Sequence, residues 1–108
     1  MADDETHYQV LRLLDGNPRL SQRDVARALG LSVGKINFCI RALVGKGWVK
    51  AINFKNSRKR AAYMYLLTPR GIEHKARLTL RFLQRKVREY EALRAEIEQL
   101  RLEIDGRE

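Results

Sequence analysis

Apolar residues recur along the first 47 positions with the period of helices. Between about Asp4 and Asp15, His7, Val10, Leu11 and Leu14 fall on one helical face, with Asp3, Asp4 and Glu5 where the helix dipole favours acids. The turn cluster Asp15-Gly16-Asn17-Pro18 ends that segment. A second helix opens at Ser21, a good N-cap, with Asp24 as a weaker capping-box acid; Val25, Ala28 and Leu29 are its expected buried side, and Gly30 its exit. After Gly30-Leu31, Ser32 caps a third helix that runs to about Lys46, with Ile36, Cys39, Ile40 and Leu43 facing inward and Gly47 closing it. Two helices joined through so short a glycine turn form a helix-turn-helix.

The pattern then changes to the aromatic and branched content of strands. "WVKAINF" and "AYMYLL" flank the polar knot Lys55-Asn56-Ser57-Arg58-Lys59-Arg60, which makes a hairpin. Thr68 and Pro69 restart helix as N-cap and first helical residue. From Arg70 to Ile104 there is no proline and, after Gly71, no glycine, so some 35 residues would reach roughly 50 Å. Along this helix Ala76, Leu80, Leu83, Val87 and Tyr90 are spaced 4, 3, 4, 3, and Leu93, Ile97, Leu100 and Ile104 continue 4, 3, 4. The step from Tyr90 to Leu93 is a second consecutive 3, a slip that locally overwinds a coiled coil. A stripe this long needs a partner, and a second copy of the helix is the expected cover. Parallel and antiparallel pairing are both left open. The expected fold class is α+β: a winged helix-turn-helix domain over 4–69, followed by one long coiled-coil-like dimerisation helix over 70–106.

Charge sharpens the picture. The chain carries a net +9 at pH 7. Residues 1–30 hold four basic and five acidic side chains, residues 76–108 eight and seven, and residues 31–75 ten and one. The surplus therefore lies in the segment that contains the third helix and the hairpin. A local basic footprint points to a polyanion partner, because each cation set on a phosphate releases a counterion. On the third helix, Ser32, Gly34, Lys35, Asn37, Phe38 and Arg41 remain once the inner face is removed. Lys and Arg reach guanine edges or phosphate, Asn pairs with adenine, and Phe38 either touches a thymine methyl or packs in the core. Ser32 sits where helix N–H groups favour a phosphate. The tip residues Lys55, Asn56, Ser57, Arg58, Lys59 and Arg60 then form a wing on the backbone or in the minor groove. Phosphates would relieve their mutual repulsion.

Several classes are excluded by the same residues. No nucleophile–histidine–acid set or phosphate-cradling glycine loop occurs, so no enzyme is expected. Cys39 with His7 and His74 gives no zinc spacing, and no metal or cofactor is expected. His7 reads as a half-buried packing residue and His74 as a surface one. No apolar run approaches the ~18 residues of a membrane span, and the acidic start lacks the order of a secretion signal, so a cytoplasmic protein is expected.

"LSQRDVARALGLSVGKINFCIRALVGKGWV", the basic hairpin and "YLLTPRGIEHKA" together resemble the MarR-family winged-helix transcriptional regulators, with Leu67 to Gly71 matching their L-T-P-[KR]-G signature. "NFKNS" and the long helix are similar to the small exopolysaccharide-associated subgroup. The resemblance implies a homodimer on a pseudo-palindromic operator, touching it through Ser32, Gly34, Lys35, Asn37, Phe38 and Arg41 and through the wing's Arg58, Lys59 and Arg60. Larger members pair helices from both termini and often bind a phenolic effector. With almost nothing before its first helix, this chain is expected to dimerise through Leu80, Leu83, Val87, Tyr90, Leu93, Ile97, Leu100 and Ile104. Effector binding is not carried over. Operator, target genes and sign of regulation are open. The alternatives are a protein-interaction module, in which the long helix binds a partner and DNA binding is non-specific, and an RNA-binding module.

Overall fold

The structure, a computed structural model, describes residues 4–55 and 61–106. Its order is α1 (Asp4–Gly16), α2 (Gln22–Leu29), α3 (Val33–Gly45), β1 (Val49–Lys55), β2 (Ala61–Leu67) and α4 (Pro69–Asp105). The described chain divides into one compact unit through Leu78 and a second from Thr79 onward.

Val10, Leu11 and Leu14 of α1 meet Val25 of α2 and Ile36, Cys39, Ile40 and Leu43 of α3 in the core, joined by Val49 and Tyr65 from the hairpin. Each fully buried Leu or Ile here contributes about 1.5–3 kcal/mol of transfer free energy. On α2 the expectation for Ala28 fails. Ala28 is exposed, whereas Val25 and Ala26 are buried and Gln22 and Leu29 half-buried. The contact face follows i, i+3, i+4, i+7 from Gln22, which turns Ala28 away.

The caps form as the sequence requires. Ser21 Oγ accepts from the Asp24 N–H at 3.1 Å and the Ser21 N–H donates back to the Asp24 carboxylate at 3.0 Å. That backbone donor, with the serine hydroxyl, holds the Asp24 carboxyl below its ordinary range. The cap's contribution is therefore present above the ordinary carboxylate range and lost as pH falls through the folded value. Gly30 sits at φ +67° and the chain bends by 113° into α3, within the helix-turn-helix range. Gly47, at φ +77°, turns the chain from α3 into β1.

The hairpin is antiparallel and runs from Val49 opposite Leu67 to Lys55 opposite Ala61. At its base, Thr68 does three things. Its N–H donates to the Trp48 carbonyl at 3.0 Å, its hydroxyl donates to the Gly47 carbonyl at 2.6 Å, and its Oγ1 caps the Gly71 N–H at 3.1 Å. Gly71 is buried directly against Trp48, and a Cβ there would lie on the Trp48 carbonyl oxygen. This gives the L-T-P-R-G stretch a physical meaning: a cap, a preset first turn and a residue without a side chain. Trp48 also stacks on His74 at 3.9 Å, with His7 edge-on at 6.3 Å and the Lys46 ammonium 4.8 Å from the ring. His74 is thus half-buried packing rather than plain surface, and His7 is buried.

Gly71→Ala tests the clasp. Helix propensity alone would favour alanine by about 1 kcal/mol. Overpacking at this contact costs more, about 1–3 kcal/mol net, so thermal unfolding should drop by several degrees. An unchanged or higher Tm would mean that the approach to Trp48 is not tight.

A candidate nucleic-acid interface

Helix α3 divides cleanly into two faces. Ile36, Cys39, Ile40 and Leu43 are each at most 2% exposed. Ser32, Gly34, Lys35, Phe38 and Arg41 lie exposed on the other side, with Asn37 half-buried at the margin. Phe38 is 58% exposed, which removes it from the core and leaves it in the outward set. A ring so placed is costly in water and suited to a groove contact. Ser32 Oγ accepts from the Lys35 N–H at 3.1 Å, which fixes the start of the helix. A Cβ at Gly34 would meet nothing within 4 Å, so its bareness is unrelated to packing in this chain.

Asn37 is held from behind. Its Nδ2 donates to Gln22 Oε1 at 3.1 Å, and Gln22 Nε2 donates to the Tyr65 hydroxyl at 3.1 Å. The relay joins α3, α2 and β2 and leaves the Asn37 oxygen and its second N–H for a ligand. Sequence reasoning missed Gln22 and Tyr65. The available signal was a polar residue, Gln22, at the i−3 position of Val25 on the buried side of α2. Beside the relay lies an open groove of about 440 Å³ between α3 and the hairpin, lined by Asn37, Arg41, Val44, Ala51 and Tyr63 among others.

The hairpin edge is anchored to this region, since the Tyr65 N–H donates to the Pro18 carbonyl at 3.1 Å. Lys55 closes the described register opposite Ala61. Asn56, Ser57, Arg58, Lys59 and Arg60 lie outside the described residues. Of the other middle-segment cations, Lys35, Arg41, Lys50 and Arg70 are exposed, while Lys75 pairs with Asp15 at 2.9 Å. Among the described residues no His/Cys/Asp/Glu group has the arrangement to hold a metal ion, and no single helix is long and apolar enough to cross a membrane.

Residues 3–50 match the family model of winged helix-turn-helix DNA-binding domains. The chain carries a winged helix-turn-helix. Its fold is that of the MarR-type regulators. The PcaV transcriptional regulator of Streptomyces coelicolor, solved with its natural ligand, is 23% identical, with 94% of this chain and 74% of that chain covered at a TM-score of 0.65. A MarR/EmrR family regulator from Acinetobacter sp. ADP1 is 18% identical over 94% of this chain and 75% of its own, at 0.61. MarR from E. coli is 20% identical over 75% of each chain, at 0.58. The first two are transcriptional regulators. No curated protein matches the sequence.

A double-mutant cycle on Gln22→Ala and Asn37→Ala checks the relay. The two changes should couple by about 0.5–1.5 kcal/mol in denaturant unfolding. Additivity within about 0.3 kcal/mol would mean that the hydrogen bond does not hold Asn37 in solution.

Proposed function

We propose that this winged-helix chain is a sequence-specific, double-stranded-DNA-binding transcriptional regulator of the MarR family that acts as a homodimer in the cytoplasm. The observation that carries the reading is the two-faced α3: its inner side completes the core while Lys35, Phe38 and Arg41 stand exposed on the other. Helix α3 enters the major groove with Lys35 and Arg41 on guanine edges or phosphates, Asn37 on adenine and Phe38 against a thymine methyl. Ser32 and the bare first turn at Gly34 receive a phosphate. The wing, from Lys55 through Asn56, Ser57, Arg58, Lys59 and Arg60, lies on the backbone or in the minor groove. The ten-to-one excess of basic over acidic side chains in residues 31–75 supports this surface as the one that meets DNA.

Pairing rests on α4. Leu80, Leu83, Val87, Tyr90, Leu93, Ile97, Leu100 and Ile104 are all between 43% and 71% exposed, an apolar stripe that a single chain leaves in water. A second copy covers it and brings two α3 helices to one operator. Half-sites lie about one turn (~34 Å) apart if the dimer follows the usual geometry of such proteins.

Fluorescence anisotropy on the duplex upstream of the protein's own gene, against an unrelated duplex of equal length, tests the DNA reading. The expected preference is about a thousandfold or more. Lys35→Ala with Arg41→Ala should abolish most of it and lower the slope of log affinity against log salt by about 2 if both meet phosphates. Equal affinity for both duplexes, or a double variant that binds as the parent does, would sink the reading.

Leu83→Asp with Ile97→Asp tests the pairing. Two charges in a buried seam should make the chain monomeric by mass in solution. A mass that stays dimeric would place the interface off this stripe.

A further inference from the structure

The stripe on α4 carries a symmetry that the pairing alone does not need. Ala76, Leu80, Leu83, Val87, Tyr90, Leu93, Ile97, Leu100 and Ile104 have the spacings 4, 3, 4, 3, 3, 4, 3, 4. The series reads the same in both directions, with Tyr90 at its centre. A parallel pair puts each residue beside its own copy, so any order of threes and fours would serve. An antiparallel pair about a two-fold axis meets its own reversed sequence, and apolar residues face apolar residues only if the spacing is palindromic. An unbroken heptad meets this condition about the middle of a gap; with the second consecutive 3 at Tyr90–Leu93 the two halves match only about Tyr90, which fixes where the axis of an antiparallel pair must lie.

Charge gives an independent reason. Residues 76–89 hold five basic side chains and one acidic, a net of +4, while residues 91–104 hold two basic and four acidic, a net of −2. Parallel helices would set the positive half against the positive half along the whole flank. Reversed helices set it against the acidic half, and flanking charges of this kind govern orientation in paired helices. Several acid–base neighbours on the same helix, such as Lys86 and Glu89 at 3.2 Å, are exposed and screened, so they leave this long-range segregation in place.

Resting on the reading that the stripe pairs two copies, we propose that α4 docks antiparallel on a second α4, with the two-fold axis through Tyr90. Leu80 then faces the partner's Leu100, Leu83 the partner's Ile97, and Val87 the partner's Leu93, with the two Tyr90 rings crossing at the centre. All seven side chains from Leu80 to Leu100 in this scheme are at least 43% exposed in the single chain and therefore available for the contact.

Disulfide trapping under mild oxidation tests the orientation, with the mass of each reduced protein measured alongside. The one natural thiol, Cys39, is fully buried, and the parent chain serves as its control. Positions 83 and 97 lie about 21 Å apart on one helix, far beyond disulfide reach, so a bond between them must join two chains. Leu83→Cys with Ile97→Cys should give a nearly complete covalent dimer, and Leu83→Cys alone should give none. Val87→Cys with Leu93→Cys, against Val87→Cys alone, repeats the test should the first pair loosen the dimer. Cross-linking by the single variants would overturn the antiparallel arrangement and leave the pairing intact. A dimeric mass with no cross-link from any variant would overturn the use of this stripe. A monomeric parent chain would overturn the pairing itself.

Discussion

The close approach of Gly71 to the Trp48 backbone is the contact on which the winged unit depends. It fixes the base of the hairpin and the first turn of α4 at one point, through the same three residues. Thr68 satisfies the carbonyls of Gly47 and Trp48 and caps Gly71, so the backbone groups of a helix end and a strand end are paired without water. Any side chain at 71 would separate the two elements. The stack of Trp48 on His74, with His7 at its edge, then covers the junction with rings rather than with branched aliphatics. Once the base of the hairpin is set, the register of both strands follows from it.

That junction frees α3 for its second role. Packing against α1, α2 and the hairpin takes only four of its side chains to near-complete burial, which leaves the rest of the helix to carry chemistry that no core requires. Asn37 sits on the border between the two faces. Its amide is oriented by Gln22, which is in turn held by Tyr65, so one side chain joins the strand to the outward face of α3. Preorganisation of this kind lowers the entropy lost when a base edge is engaged.

The order of elements was legible in the sequence because each boundary had its own chemical mark. Ser21, Ser32 and Thr68 cap, Gly30 and Gly47 turn, and the period changes from helical to alternating at Trp48. The inner face of α3 was legible for the same reason, since apolar residues at fixed spacing have one way to be buried. The error at Ala28 has a clear source. Alanine suits either face of a helix, and over eight residues periodicity does not choose between neighbouring positions. Phe38 was ambiguous too, as a lone aromatic is as often core as contact, and only its 58% exposure separates the two.

The sequence by itself determined the helix-turn-helix and hairpin, the basic character of the middle segment and the symmetric apolar stripe of α4, because caps, period and charge are local properties. Tertiary structure decided what depends on residues far apart in the chain. The Asn37–Gln22–Tyr65 relay spans separations of 15 and 43 residues, and Gly71 meets Trp48 across the base of the hairpin, from the far side of both strands. No local pattern encodes such a contact. It exists only when packing of the shared core brings both partners to one place.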